Sequence, residues 1–428
     1  MSQAIFKKKS RSPNNDFVFY CSDKSCRYLI YTFVILYVYD WYVLIIVPTE
    51  PGLTNWHILG YVIIISSYFA LSLSAFWAFK SGAFKRNFST RVQNIWILLL
   101  AWGMINILQS FKFNFKIMAY NFVIPNTAGV MIMPLAMLTG SQIKNWIKIK
   151  KILYQITFLS VIAGVIGLFY GGNNTEIFRL LNVNALFAFG FLFLDSLNSD
   201  SNFRIVLAYV AFCLFGIAVF LLGSRNGMIR VIYFSSALLF MISIEFFRSL
   251  NKFFKSVVII FIMFSIILFT SSELLKNKGE YADRQMRSIE KIVSMGDSRT
   301  DNIKEMWEKS NYKTLIIGRG VAGGYKSDIF YTLRNDIENG YMQFILKGGF
   351  IMLILFLLLI IPAAIRGIFR SRNNLILICG FVVLERLVWM FTFGLPWVDN
   401  HYLIFWICAG ACLAKDNIQK SNVGKLIK

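Results

Sequence analysis

Residues 272–338 read SELLKNKGEYADRQMRSIEKIVSMGDSRTDNIKEMWEKSNYKTLIIGRGVAGGYKSDIFYTLRNDIE. This is the only long polar stretch in the chain, with twelve Lys/Arg and ten Asp/Glu in Ser272–Ile337. A hydrophobic segment lies on either side. A polar stretch so flanked reads as an extramembrane loop joining two membrane helices. Outward from it, the composition agrees: 57% of the chain is hydrophobic and 15% charged, against roughly 25% charged in a soluble domain. Apolar runs of ~20 residues recur throughout, each able to cross ~30 Å of hydrocarbon at 1.5 Å per residue. They do not alternate as barrel strands do. The fold expected is therefore an all-α polytopic membrane protein.

Twelve spans are expected, near 27–48, 56–79, 92–109, 117–139, 151–170, 180–195, 204–222, 228–246, 254–271, 340–362, 374–393 and 398–414. The chain then divides into a membrane part of about nine spans (1–271), the loop (272–337), a membrane part of about three spans (338–414) and a tail (415–428). The formal net charge is +22. In a soluble protein that excess would suggest nucleic acid; here its placement points to topology instead. The N-terminal tail, the even-numbered linkers and the C-terminal tail hold twenty-five Lys/Arg, while the short linkers of the other set hold five: Lys112, Lys116, Arg179, Arg225 and Arg230. The positive-inside rule places both termini in the cytoplasm and the long loop outside. No small-residue cleavage site follows the basic N-terminus, so no cleavable signal is expected. A twelve-span transporter built from two halves usually carries its long linker inside, between the sixth and seventh spans. Here the long linker is outside and late, which argues against that class.

Of the six cysteines, Cys213, Cys379, Cys408 and Cys412 lie in apolar runs as small buried residues, and Cys21 and Cys26 lie in the N-terminal tail. None makes a metal-ligand pattern, and no cofactor is expected.

Five positions stand out for chemistry. Arg225 sits in Gly223-Ser224-Arg225-Asn226-Gly227, between two apolar runs. An arginine there faces water or an anion, or snorkels from a tight turn. Arg299 lies in Asp297-Ser298-Arg299-Thr300-Asp301, a helix-start pattern. Ile303, Met306 and Trp307 then share one face, so a short amphipathic helix is expected, solvated or laid over the membrane domain. Arg319 is flanked by glycines in Gly318-Arg319-Gly320, a turn able to face an anion. Glu338, where the loop enters the tenth span, is a candidate base, or it or Asp336 caps the helix. His401 in Asp399-Asn400-His401 opens the last span. Glu385-Arg386, inside the eleventh span, reads as an internal salt bridge between helices.

In order and spacing these elements resemble the O-antigen polymerase/O-antigen ligase family of bacterial envelope glycosyltransferases. Ser224-Arg225-Asn226-Gly227 is similar to that family's Ser-Arg-Gly-like motif, Arg299 with Trp307 to its loop Arg ahead of a Trp, and Gly318-Arg319-Gly320 to its Gly-x-Gly element. Where ligases carry His-Asn-x-Tyr/Phe, this chain has Glu338-Asn339-Gly340-Tyr341, which favours the polymerase. The resemblance implies location in the bacterial inner membrane with a periplasmic loop. It implies undecaprenyl-diphosphate-linked glycans as substrates, the lipid bilayer as surroundings, a chain-length regulator protein as a further partner, and no nucleic acid. By the same resemblance Arg225 and Arg299, with Arg319, serve the diphosphate, and Glu338 is the base, with His401 as its alternative. The rival readings are a ligase that transfers polymer to lipid A–core, a flippase or other transporter, and a dolichol-type glycosyltransferase. The last usually has acidic residues in its first outer loop, where this chain has Glu50 alone.

Overall fold

The structure is a computed structural model and describes residues 13–46, 55–110, 132–170, 189–199, 201–221, 225–246, 265, 298–321, 323–328, 331, 333–334, 337–371, 373–392 and 399–415. The described residues are mostly helical. In chain order the helices are α1 (Pro13–Ile46), α2 (Asn55–Lys80), α3 (Ala83–Asn87), α4 (Thr90–Ser110), α5 (Ala136–Gly140), α6 (Trp146–Tyr170) and α7 (Phe189–Asp195). They continue with α8 (Asn202–Leu221), α9 (Arg225–Phe246), α10 (Ser298–Glu308), α11 (Tyr312–Ile317), α12 (Gly340–Phe369), α13 (Asn374–Thr392) and α14 (Asn400–Leu413). One two-residue hairpin ladder pairs β1 (Tyr325–Lys326) with β2 (Leu333–Arg334).

The all-α expectation holds for the described residues. Four helical segments, Val62–Lys80, Thr90–Gln109, Gly340–Phe369 and Asn374–Phe391, are long and apolar enough to cross a membrane. Shorter apolar helices, Asn202–Ile217, Gly227–Ser243 and Asn400–Leu413, overlap three further expected spans. Most of the expected fourth and sixth spans, nearly all of the ninth, and residues 272–297 of the loop lie outside the described residues.

The N-terminal expectation needs correction. Helix α1 already begins at Pro13, a residue that suits a first helical turn because its missing N–H has no partner to lose. Cys21 and Cys26 are therefore helical and fully buried rather than in a tail. Serines carry α1 into the bundle. The Ser22 hydroxyl donates to Asn145 Oδ1 at 3.2 Å, and the Ser25 hydroxyl lies 2.9 Å from that of Thr139. Thr139 in turn meets the Ser74 hydroxyl at 2.8 Å. Such hydroxyl pairs join helices where no water competes for them.

Contacts at the helix ends sort the linkers into two sets. At one end Lys148 pairs with Asp23, and the Lys415 amide donates to the Asn87 carbonyl at 2.7 Å. At the same end the Arg366 guanidinium donates to the Leu413 and Ala414 carbonyls at 3.2 and 3.0 Å. Asp23, Asn87, Lys148, Arg366 and Lys415 thus gather at one end of the helices. At the other end the Val321 amide meets the Asn106 carbonyl at the close of α4, and Asn339 reaches the Phe391 carbonyl at the close of α13.

The described part of the loop, from Ser298 onward, folds onto this second end. Helix α10 is amphipathic as its spacing predicts: Met306 is fully buried, and Trp307 packs on Phe350 of α12 with ring centroids 6.0 Å apart. Met306, Tyr325, Ile337 and Leu346 form a small core in which the last member comes from α12. The loop therefore shares its core with α12, one of the four helices long and apolar enough to cross a membrane. Glu305 and Lys309 hold the hairpin. Ser327 Oγ donates to Glu305 Oε2 at 2.7 Å, the Asp328 amide donates to Glu305 Oε1, and Lys309 Nζ lies 2.5 Å from Asp328 Oδ2. Asp328 and Glu305 together raise the Lys309 ammonium above its ordinary value.

Helix α12 is broken at Gly349, whose φ of 71° and ψ of −179° are not helical. The break lets the loop backbone dock. The Arg319 amide donates to the Leu346 carbonyl at 2.9 Å and the Gly320 amide to the Lys347 carbonyl at 3.0 Å. Trp102 of α4 donates to the Gly348 carbonyl at 2.7 Å. Carbonyls freed by a break inside an apolar, buried helix need such donors, since an unsatisfied buried carbonyl is costly.

Deeper in the bundle, Phe189 stacks on Phe215 and Phe193 on Phe212, both with centroids 4.0 Å apart. Beyond them, at the end that carries Asp23 and Arg366, a buried ion pair joins Lys150 Nζ to Asp195 at 2.8 Å. Tyr154 also donates to Asp195, at 3.3 Å.

Candidate functional site

Near the loop-bearing end, α9, α13 and α14 bring four ionisable side chains together. Arg230 Nε donates to Glu385 Oε1 at 2.6 Å, and Arg230 Nη2 lies 3.3 Å from His401 Nδ1. Arg230, Glu385 and Arg386 are all buried. Both guanidiniums lie over the Trp389 ring, at 4.5 Å for Arg230 and 4.4 Å for Arg386. Arg386 also faces the Tyr402 ring at 4.9 Å. An aromatic face attracts a desolvated cation through its quadrupole, so Trp389 offsets part of the cost of holding two positive charges there. Local sequence fixes these positions. Asp399 caps α14 by accepting the Tyr402 amide at 2.6 Å, which sets His401 in the first turn.

The four side chains line a cavity of about 20 Å³ together with Gly190, Phe191, Phe234, Val382, Ile404 and Phe405. That is room for about one water molecule. The lining holds two guanidiniums against one carboxylate, a balance that suits an anion. Next to His401, the buried Asn400 amide has neither its nitrogen nor its oxygen partnered. Buried amides in that state are normally completed by ordered water or a ligand.

The residues singled out from sequence fall in four groups. His401 belongs to the cluster. Arg225 opens α9, and Arg299 is the second residue of α10; the side chains of both lie outside the described residues. Arg319 is turned inward: its guanidinium donates to the carbonyls of Gly324 and Lys309, both at 2.7 Å, and to Ser310 Oγ at 3.0 Å. Burial lowers its pKa, yet a guanidinium in a protein stays charged. It fastens the loop to itself. Lys347 acts similarly, its buried ammonium donating to the Val321 and Gly323 carbonyls at 3.0 and 2.7 Å.

Glu338 is half-buried in the turn before α12. It does not cap the helix: Asn339 does, accepting the Met342 amide at 3.1 Å while donating to the Phe391 carbonyl at 2.9 Å. Tyr341 OH donates to the Leu387 carbonyl at 2.6 Å, so Glu338 is anchored beside the last turns of α13. Phe391 lies about 7.5 Å along the helix from Arg386 at 1.5 Å per residue.

Two sequence readings are sharpened here. Glu385 does bridge helices, but its partner is Arg230, which the charge count had placed among linker residues. Arg386 belongs to the aromatic face beside it. The signal was present: Arg230 lies inside an apolar run, and an ionisable residue there is by default a site residue with a partner.

No family model, curated protein or solved structure matches this chain.

Proposed function

We propose that this chain is a twelve-span glycosyltransferase of the bacterial cytoplasmic membrane, with cytoplasmic termini and a periplasmic loop. It polymerises undecaprenyl-diphosphate-linked oligosaccharide repeat units into O-antigen or a related surface polysaccharide. The observation that carries the reading is the buried Arg230–Glu385–Arg386–His401 cluster at the loop-bearing end. Transfer of a glycan from a lipid diphosphate requires cations at the leaving group and a means of accepting the proton of the attacking hydroxyl. The acceptor oxygen bonds to the anomeric carbon, the bond from that carbon to the diphosphate oxygen breaks, and the diphosphate leaves with the electron pair. Arg386, Arg225 and Arg299 are assigned to the diphosphate. Glu338 is assigned to the proton of the attacking hydroxyl. Arg319 is withdrawn from the diphosphate and assigned to loop anchoring.

A deletion strain tests the reading. Lipopolysaccharide with a single repeat unit is expected; core-only molecules would indicate a ligase instead. Uptake or lipid translocation by the purified protein, with no polymer formed, would indicate a transporter. Arg225→Ala and Arg299→Ala should each abolish polymer at an unchanged membrane level of the protein. Normal chain length in both would remove those two assignments.

A further inference from the structure

The hydrogen bond between Arg230 and His401 fixes more than a contact. A guanidinium carries five donors and no acceptor. Nδ1 of His401, 3.3 Å from Arg230 Nη2, must therefore be the acceptor. An imidazole whose Nδ1 accepts carries its proton on Nε2. Arg230 is itself held from behind by Glu385, at 2.6 Å on Nε, which sets the direction of its other donors. Trp389 supports the same guanidinium from its face at 4.5 Å.

We infer that Glu385 and Arg230 act as positioning residues that hold His401 as the neutral Nε2–H tautomer, a hydrogen-bond donor lining the cavity rather than a base. This is the reverse of the hydrolase triad. There a carboxylate accepts from Nδ1–H and leaves Nε2 with its lone pair free to take a proton. Here a guanidinium occupies the Nδ1 lone pair and leaves N–H at Nε2. A neutral imidazole N–H does not give its proton away; it stabilises negative charge developing on an oxygen it faces. The oxygen in question, on the proposed reading, belongs to the departing diphosphate. The ring thus leaves the list of bases, and Glu338 remains on it.

The tautomer is measurable without any glycan, so its outcome is separate from that of the polymerase reading. The chain has two histidines, and His57→Gln leaves one. The full-length His57→Gln protein, labelled with ¹⁵N-histidine in lipid nanodiscs, should show at neutral pH a protonated-type Nε2 and a lone-pair-type Nδ1. A proton on Nδ1, or on both nitrogens, overturns the inference. Arg230→Met and Glu385→Gln should move the spectrum toward a mixture of tautomers; an unchanged spectrum in Arg230→Met overturns the positioning role. In cells, His401→Gln offers an amide N–H near the place of Nε2, and His401→Glu offers a base. Polymer should persist in the first and fall by roughly 10²-fold in the second, the usual cost of one lost oriented donor. The opposite order overturns the donor role.

Discussion

Arg230 is the residue on which the candidate site turns. It is held by Glu385 at 2.6 Å, by Trp389 and by His401, with little water nearby to replace any of them. Removing one member of a buried ion pair leaves an uncompensated charge and costs about 3–5 kcal/mol. Arg230→Ala and Glu385→Ala should each destabilise the protein by that order, as read from denaturant titration in detergent micelles. The double variant should cost clearly less than the two single effects summed, because the orphaned charge is gone. Strict additivity would mean that the pair is not energetically coupled. This residue was legible in the sequence only as a charge. Counting charges by linker placed Arg230 among the five basic residues of the short linkers, and only the packing of α9 on α13 revealed its partner. His401 and Glu385 were visible as polar residues in apolar runs. Their convergence was not, since 155 residues separate Glu385 from Arg230.

At the scale of elements, the break in α12 joins the segment from Ser298 onward to the apolar helices. A side chain at Gly349 would be strained by the positive φ and would also run into the Ile316 carbonyl. Gly82 makes the control: its φ is +73°, but a Cβ there meets nothing within 4 Å. Gly82→Ala should cost roughly 1–2 kcal/mol of backbone strain alone. Gly349→Ala should cost more and should detach the 318–321 segment, so that limited proteolysis cuts the loop faster in this variant than in Gly82→Ala. Equal cutting rates would refute the docking role. The amphipathic α10 was readable beforehand, because Ile303, Met306 and Trp307 repeat at helical spacing. The break was not. Hydropathy runs unbroken from Phe350 onward, and the Gly348-Gly349 pair shows its use only once Arg319 and Gly320 are seen donating to the carbonyls just before it. Lys347, which looked misplaced at the start of a span, is explained by the same docking.

For the whole molecule, the two-ended sorting of linkers gives a direct topological test. All six native cysteines are unpaired and at least half-buried, which keeps background labelling low. Tyr331 is 88% exposed in the hairpin loop, and Lys85 is exposed on α3. A membrane-impermeant maleimide should label Tyr331→Cys in outer-membrane-permeabilised cells and Lys85→Cys only after lysis. Labelling of both from the same side would break the proposed topology. The stacked phenylalanines described above also bear on the membrane itself. Along α7 they fill the interval between the Arg230–Glu385 pair and the Lys150–Asp195 pair with carbon. Under the proposed membrane reading, this layer of carbon keeps the two buried charged pairs from sharing a polar path through the helices.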